Sequence, residues 1–457
     1  MPPLLVQCTV YLTIWFLAVE RTPAADRGPG GEHPTTPESS DQKTQTRRLT
    51  LDQFLAGVAA NNLDLAAQRY NISIAQAQVV AAKVSPNPVF TVTYLADTSH
   101  EEQATVYSEG LTEEIEVGGK RKFRVSVAQK NLLSVSATVD DFFRTLRGTA
   151  ATAFVTALAG ELTVNEKRRA FEALNDLAKA NEKRLSEGDL GEADADQARL
   201  AAKQAEGDLV VAQSAQSANL FALVQLLGKR RAGVPHPEGN LLFPNRELSL
   251  ASILAVAMQN RPDVRAARFA LESTQSSVKL AKANRIPDPT IGVGLAQVGQ
   301  ISNPIDPAPS FNTLNLSLSL PLPLFNSYRG EYEAAFQTAL QSQKMLESVR
   351  LKAEVDVRTN FDRYQLAKQQ LAKYQGNAIE LARKVLEAKL TSYRLGAVSL
   401  LDLLQAQKDD TDVHLNYITA LTERASALVA LEQAAGFWDI SFPPGQTISN
   451  IQPALVR

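Results

Sequence analysis

Two aspartates, Asp194 and Asp402, each follow a glycine by six residues (Gly188 and Gly396), and this repeated spacing is the chain's best pointer to chemistry. A carboxylate in the first turns of a helix gains roughly 0.3–1 kcal/mol from the helix dipole, which alone would explain one such residue. Recurrence at the same place in both halves adds weight to a role beyond helix stability. The other reactive side chains are scattered. His33, His100 and His236 fall in a tail, a loop and a connection, and His414 falls on a helical seam. For His414 a packed, hydrogen-bonded role outweighs metal ligation, because no second ligand is read one turn away. Gly118-Gly119-Lys120 lacks the spacing of a phosphate loop and no Ser or Thr follows the lysine. The single cysteine, Cys8, lies in the N-terminal apolar run, so the mature chain has neither an internal disulfide nor a thiolate cluster. No nucleophile–base–acid set stands out. Catalysis, a cofactor and a resident metal are not expected, and a net charge of −2 gives no basic face for nucleic acid.

The elements that must position these residues occur twice. Leu49-Thr50-Leu51, Asn61, Asp64 and Ala67 match Leu248-Ser249-Leu250, Asn260, Asp263 and Ala266, a shift of 199 from Leu49 to Leu248. Gly188, Leu190, Asp194, Gln197 and Gly228 match Gly396, Val398, Asp402, Gln405 and Gly436, a shift of 208 from Gly188 to Gly396. A period of about 200 residues is far longer than the roughly 20–50 of a solenoid unit. It describes a protomer with two-fold pseudo-symmetry.

Each copy opens with a small-residue heptad stripe: Leu65, Gln68, Ile72, Ala75, Val79 and Ala82, then Val264, Ala267, Leu271, Thr274, Val278 and Ala281. Ser85-Pro86-Asn87-Pro88 and Ile286-Pro287-Asp288-Pro289 end these helices, since proline lacks the amide hydrogen and disfavours helix before it. Alternation of period two follows. Phe90, Val92 and Tyr94 oppose Thr91 and Thr93, and Ile115 and Val117 oppose Glu114 and Glu116. Ile291, Val293 and Leu295 alternate with glycines, and Leu314 to Leu320 alternate with Asn315, Ser317 and Ser319. Strands of about 9–11 residues with one apolar face suit a tilted membrane strand. Four cannot close a barrel, and twelve from three protomers could. Helix then resumes without proline from Gly119 to Glu187 and from Tyr328 to Leu395, and returns over Gly191–Leu227 and Ser399–Ala435. The expected organisation is a signal peptide over 1–25 and a disordered tether over 26–47. A first repeat spans 48–228, a connection 229–247, a second repeat 248–436 and a tail 437–457.

This order of elements resembles the TolC-type outer-membrane efflux channel family over residues 49 to about 436. The carriers are the duplicated Leu-x-Leu openings, the proline pairs before the strands, and the tip string Tyr393-Arg394-Leu395-Gly396-Ala397-Val398-Ser399-Leu400-Leu401-Asp402-Leu403-Leu404-Gln405. Val117-Gly118-Gly119-Lys120-Arg121 is similar to the heavy-metal-efflux branch. The resemblance implies a mainly α fold with a small β part. Duplicated long-helix hairpins would form an α-barrel in a homotrimer, and four strands per protomer a shared transmembrane β-barrel. It implies an outer-membrane channel, surrounded by lipid, that conducts what an inner-membrane pump and a periplasmic adaptor deliver, heavy-metal cations included. Tyr393, Asp402, Gln405 and Asp194 would form the gate at the mouth of the periplasmic tunnel. Gly188, Leu190, Gly191, Leu395, Gly396, Val398 and Ser399 would be the adaptor-docking tips, and Glu114, Glu116, Asn315 and Ser317 would line the barrel. Val398 and Gln405 depart from the family pattern, which has an arginine and a second aspartate there. Six carboxylates around one mouth would repel, which should raise some of their pKa values. A periplasmic adaptor, the runner-up, predicts a lipoyl-like β domain and no duplication. A coiled-coil scaffold leaves the paired strands unexplained.

Overall fold

The computed structural model describes residues 48–96, 105–228, 234–241, 247–300 and 309–438. The expected signal peptide and tether, with Cys8 and His33, lie outside the described residues, as does His100. The first half runs β1 (Arg48–Leu49), α1 (Leu51–Asn61), α2 (Leu63–Ala82), β2 (Val89–Ala96), β3 (Thr105–Glu114), α3 (Lys120–Ser186) and α4 (Glu192–Leu227). After β4 (His236–Pro237) the second half repeats the order. It runs α5 (Leu250–Asn260), α6 (Pro262–Ala283), β5 (Thr290–Val298), β6 (Phe311–Ser319), α7 (Arg329–Lys373), α8 (Ile379–Arg394) and α9 (Leu400–Ala435).

Local chemistry sets these limits. Thr50 caps α1 in a reciprocal capping box with Gln53, and Asn62 caps α2 by accepting from the Leu65 amide at 2.9 Å. Gly228 and Gly436 end α4 and α9 in the left-handed conformation, at φ 64° and 71°. Both glycines also press on the turn before the heptad helix of their own half. A Cβ on Gly228 would lie 2.4 Å from the Asn61 carbonyl oxygen, and one on Gly436 3.1 Å from the Arg261 Cα. The duplication therefore extends to packing contacts. Among the long helices it is broken where α3 is continuous over 67 residues, whereas a π turn over Tyr374–Ala378 separates α7 from α8. The sequence expectation of an uninterrupted helix from Tyr328 to Leu395 is corrected there. The turn contains Gly376-Asn377, both poor helix formers.

The four long strands form one antiparallel sheet in the order β2-β3-β5-β6. Its register sorts the side chains onto two faces. Phe90, Leu111, Val293 and Leu316 lie in one row across the sheet, and Val92, Glu109, Leu295 and Leu314 in the next. This apolar face is exposed, with Leu316 at 77 % and Phe90 at 65 %. The opposite face holds Thr91, Ser108, Gly110, Thr112, Gly292, Gly294, Asn315 and Ser317. It is the more sheltered face in the central strands β3 and β5. Among the described residues nothing pairs with the outer edge of β2 or β6.

The helices bury small and branched residues along their seams. Phe54, Val155, Leu223 and Leu421 join α1, α3, α4 and α9 in the largest core, where the Phe54 and Phe154 rings lie 5.6 Å apart. The first heptad stripe is buried at Leu65, Ala75, Val79 and Ala82. The second is mostly half-buried, because α6 packs between α3 and α7 and shares its burial between two neighbours.

Candidate gate and docking tips

The two hairpin tips are built by the same hydrogen bonds. The Gly188 amide donates to the Leu185 carbonyl at 3.0 Å and the Asp189 amide to Arg184 at 2.8 Å. At the second tip, Gly396 donates to Tyr393 at 3.0 Å and Ala397 to Ser392 at 2.9 Å. Gly188 and Gly396 sit at φ 82° and 71°, where a side chain would be strained although the space around both is open. The chain needs a left-handed residue to satisfy the last helical carbonyls and reverse at once. Leu190 is half-buried, while Gly191 and Ser399 are exposed and precede the returning helices as N-caps. Leu395 is the most exposed apolar tip residue, at 79 %.

Asp402 and Asp194 occupy the same helical position but differ in environment. Ser399 Oγ donates to the Asp402 carboxylate at 2.7 Å, the Ser399 amide donates to it at 3.2 Å, and the Asp402 amide donates back to Ser399 Oγ at 3.2 Å. Lys389 on α8 lies 3.8 Å away. The Ser399 hydroxyl, then its amide, then the Lys389 charge hold the Asp402 carboxyl below its ordinary range. Within one protomer this is the reverse of the rise expected from mutual repulsion. Asp194 follows a glycine cap with no side chain to hold it and is exposed. Gln405 Nε2 donates to Asp409 on its own helix at 2.7 Å.

Tyr393 is buried and reaches across to the first hairpin. Its hydroxyl donates to Asn181 Oδ1 on α3 at 3.0 Å, and the Arg184 guanidinium lies 5.6 Å from its ring centre. Val398 turns inward and packs with Leu404 on a cluster of Ala178, Ala198, Ala202, Tyr393, Leu400 and Leu403. Where the family pattern has a charged tie, this chain has apolar packing between its two hairpins. Asn181 is 1 % exposed, and its Nδ2 finds no partner among the described residues. The sequence reading passed over Asn181, Arg184 and Lys389. A signal was present for Asn181, an amide three residues after Ala178 on a seam of small residues.

In the sheet, Glu114, Asn315 and Ser317 share the polar face. Glu116 does not. The strand ends at Glu114, and Glu116 is ion-paired with Arg124, whose guanidinium also donates to the Ala82 and Val84 carbonyls. Its expected place in the barrel lining is corrected: alternation ran two residues past the ladder into the join. Across that join Asp288 accepts from the Val117 amide at 2.8 Å and pairs with Lys120 at 2.6 Å, fixing the start of α3 to the start of β5. For His414 only the reason needs correction, because Asp410 does lie one turn before it. His414 Nε2 is 3.9 Å from Asp410 and Nδ1 3.8 Å from Glu166, which is itself held by Arg169 at 2.8 Å. The group is a polar contact between α3 and α9. Among the described residues no cluster of three or more His, Cys, Asp or Glu is arranged to hold a metal ion.

These features can be set beside known proteins. The cobalt-zinc-cadmium resistance protein CzcC of Cupriavidus metallidurans is 22 % identical over 389 residues, covering 85 % of this chain and 90 % of that one. The pyoverdine export outer membrane protein OpmQ of Pseudomonas putida is 26 % identical over 427 residues, covering 86 % and 87 %. Among solved structures, CusC superposes with a TM-score of 0.71 at 18 % identity, covering 85 % of this chain and 92 % of that one. A family model described as "Outer membrane efflux protein" matches residues 55–229 and 253–437, so each of the two copies read from the sequence carries one match. Duplicated hairpins, a one-faced sheet and a matched family model in both halves agree: the chain is a member of the outer membrane efflux protein family, a channel of the outer membrane with a periplasmic helical tunnel.

Proposed function

We propose that three copies of this chain close into one conduit that exports heavy-metal cations delivered by an inner-membrane pump through a periplasmic adaptor. The observation that carries this reading is the four-stranded sheet, apolar on one face and polar on the other, with both outer edges unpaired. Open edges and an exposed apolar face call for further strands and lipid. Twelve strands give a barrel with an aqueous interior. The helices below repeat the argument. Tyr70, Ile74 and Val80 on α2, the helix leading to β2, are exposed in the single chain. So are Phe336, Leu340 and Leu351 on one side of α7, the helix leaving β6. These two faces meet when β6 of one copy lies beside β2 of the next.

At the other end, about 100 Å along α3, the tips shut the conduit. Tyr393, Asn181 and the Val398 cluster hold the second hairpin on the first. The unpartnered Asn181 amide, a cost of about 1–3 kcal/mol, keeps that closure easy to release. Docking of an adaptor on Leu190, Leu395 and the tip glycines would supply the release. The CzcC relative, named for resistance to cobalt, zinc and cadmium, supports the cation class. The test is a strain lacking this gene. It should accumulate cobalt, zinc or cadmium and be rescued by the intact chain, with cross-linking in native membranes ending at trimers. Unchanged metal tolerance would remove the cation class, and cross-linking that ended at dimers would remove the conduit.

A further inference from the structure

Six leucines occupy every second position from Leu314 to Leu324, but β6 ends at Ser319, where its ladder to β5 stops. Leu320, Leu322 and Leu324 therefore continue the apolar face beyond the sheet, at 51 %, 67 % and 76 % exposure, and Phe325 after them is fully exposed. Pro321 and Pro323 alternate with them. The join in the first half, Ile115 to Gly119, is shorter and has no such run.

The sheet fixes where the apolar belt begins. On the loop side its apolar face ends in the row Tyr94, Tyr107, Gln297 and Asn312, amphipathic and amide side chains suited to a membrane surface. Glu109 lies one row inside, near enough to direct its carboxylate back to that layer. Below this row the paired leucines of β6 run only from Leu314 to Leu318. At about 3.4 Å per residue and a tilt near 45°, that is roughly 10 Å of height. A barrel needs an apolar band about 25 Å tall. Leu320 to Leu324, outside the ladder and turning at Leu322–Leu324, add exposed apolar side chains beyond that height.

We propose that Leu320–Phe325 is a lipid-binding collar that seats the barrel in the periplasm-side leaflet, at the boundary between acyl chains and headgroups. This rests on the outer-membrane barrel reading and deepens it. The backbone suits that depth. The two prolines have no amide hydrogen to leave unsatisfied near lipid, and they prevent the ladder from extending into the collar. The Leu324 amide donates to Leu322 at 2.8 Å, and Asn326 Oδ1 accepts from the Tyr328 amide at 2.9 Å as the chain turns into α7. Phospholipid is the occupant because Leu320, Leu322 and Leu324 follow directly on the exposed leucine face of β6 and are themselves exposed.

The test uses the full-length protein reconstituted in phosphatidylcholine vesicles carrying bromine either near the headgroup or deep on the acyl chain, with the unsubstituted protein's own emission subtracted. Leu322→Trp and Phe325→Trp should each lose more than half of their added fluorescence to shallow bromine and less to deep bromine. Leu316→Trp, on the sheet, should be quenched more by deep bromine. If Leu316→Trp is quenched and the two collar variants are not, the collar is overturned and the barrel stands. Blue-shifted, unquenched collar emission would assign the segment to a neighbouring copy, and red-shifted emission to water. If none of the three is quenched, the barrel reading itself fails.

Discussion

At the residue scale, a few groups join the two hairpin tips. Removing the Tyr393 hydroxyl leaves both Asn181 polar groups buried without a partner, which costs about 1–3 kcal/mol. Tyr393→Phe should therefore raise the open fraction of the reconstituted channel by roughly 5–150-fold. Open probability unchanged from wild type would exclude this bond from the gate. Asp402 gives a pH prediction of definite sign. Its carboxyl is depressed by the Ser399 hydroxyl and amide and by Lys389, so its contribution is fully present above the ordinary carboxylate range. It is lost as pH falls through the depressed value. The melting advantage of wild type over Asp402→Asn should be constant from neutrality down to about pH 4 and shrink below it. An advantage that grows on acidification would contradict the capping assignment. The spacing of Gly188 to Asp194 and of Gly396 to Asp402 was legible because it is local and repeated. The Tyr393–Asn181 bond was not, since its partners lie 212 residues apart and neither has a local motif. Glu116 was misplaced for the opposite reason, because the local pattern continued where the ladder had stopped.

At the element scale, glycines in the same left-handed conformation differ in what surrounds them. A Cβ at Gly228 would meet the Asn61 carbonyl oxygen at 2.4 Å, whereas none at Gly188 or Gly396 would meet anything within 4 Å. Gly228→Ala should lower stability well beyond the roughly 1–2 kcal/mol of left-handed strain, and Gly396→Ala by about that strain alone. Equal melting shifts for the two would show that the close approach is relaxed at no cost. The open space at the second tip also permits a sharper experiment. A Cβ at Gly396 meets open space, so beyond its backbone strain Gly396→Trp should leave trimer and membrane insertion in place while export is lost through blocked docking. Metal tolerance equal to wild type would take the tips out of the mechanism. Helix limits were readable because prolines and glycines mark them, as at Ser85-Pro86 and Gly228. The π turn at Tyr374–Ala378 was not, since Gly376-Asn377 lowers helix propensity without requiring a break. The half-buried stripe on α6 also escaped the sequence, because a heptad names one seam and α6 has two neighbours.

At the scale of the whole molecule, the fold class followed from the duplication, while function depends on copies that the sequence can only imply. Unpaired β2 and β6 edges, apolar faces on α2 and α7, and a polar sheltered sheet face all describe part of a closed ring. Three-fold closure would gather three copies each of Asp194 and Asp402 near the periplasmic mouth. Lys389 partly offsets Asp402, so the exposed Asp194 carries more of the net negative charge. Such a ring would concentrate cations at that mouth. Single-channel recording in planar bilayers, comparing wild type with the Asp194→Asn, Asp402→Asn double variant, tests this most directly. Wild type should be cation-selective and blocked by multivalent cations added from the tip side, and the double variant should lose both properties while still inserting as a trimer. Identical selectivity and block in the two proteins would reduce these aspartates to helix-start residues and place the gate elsewhere.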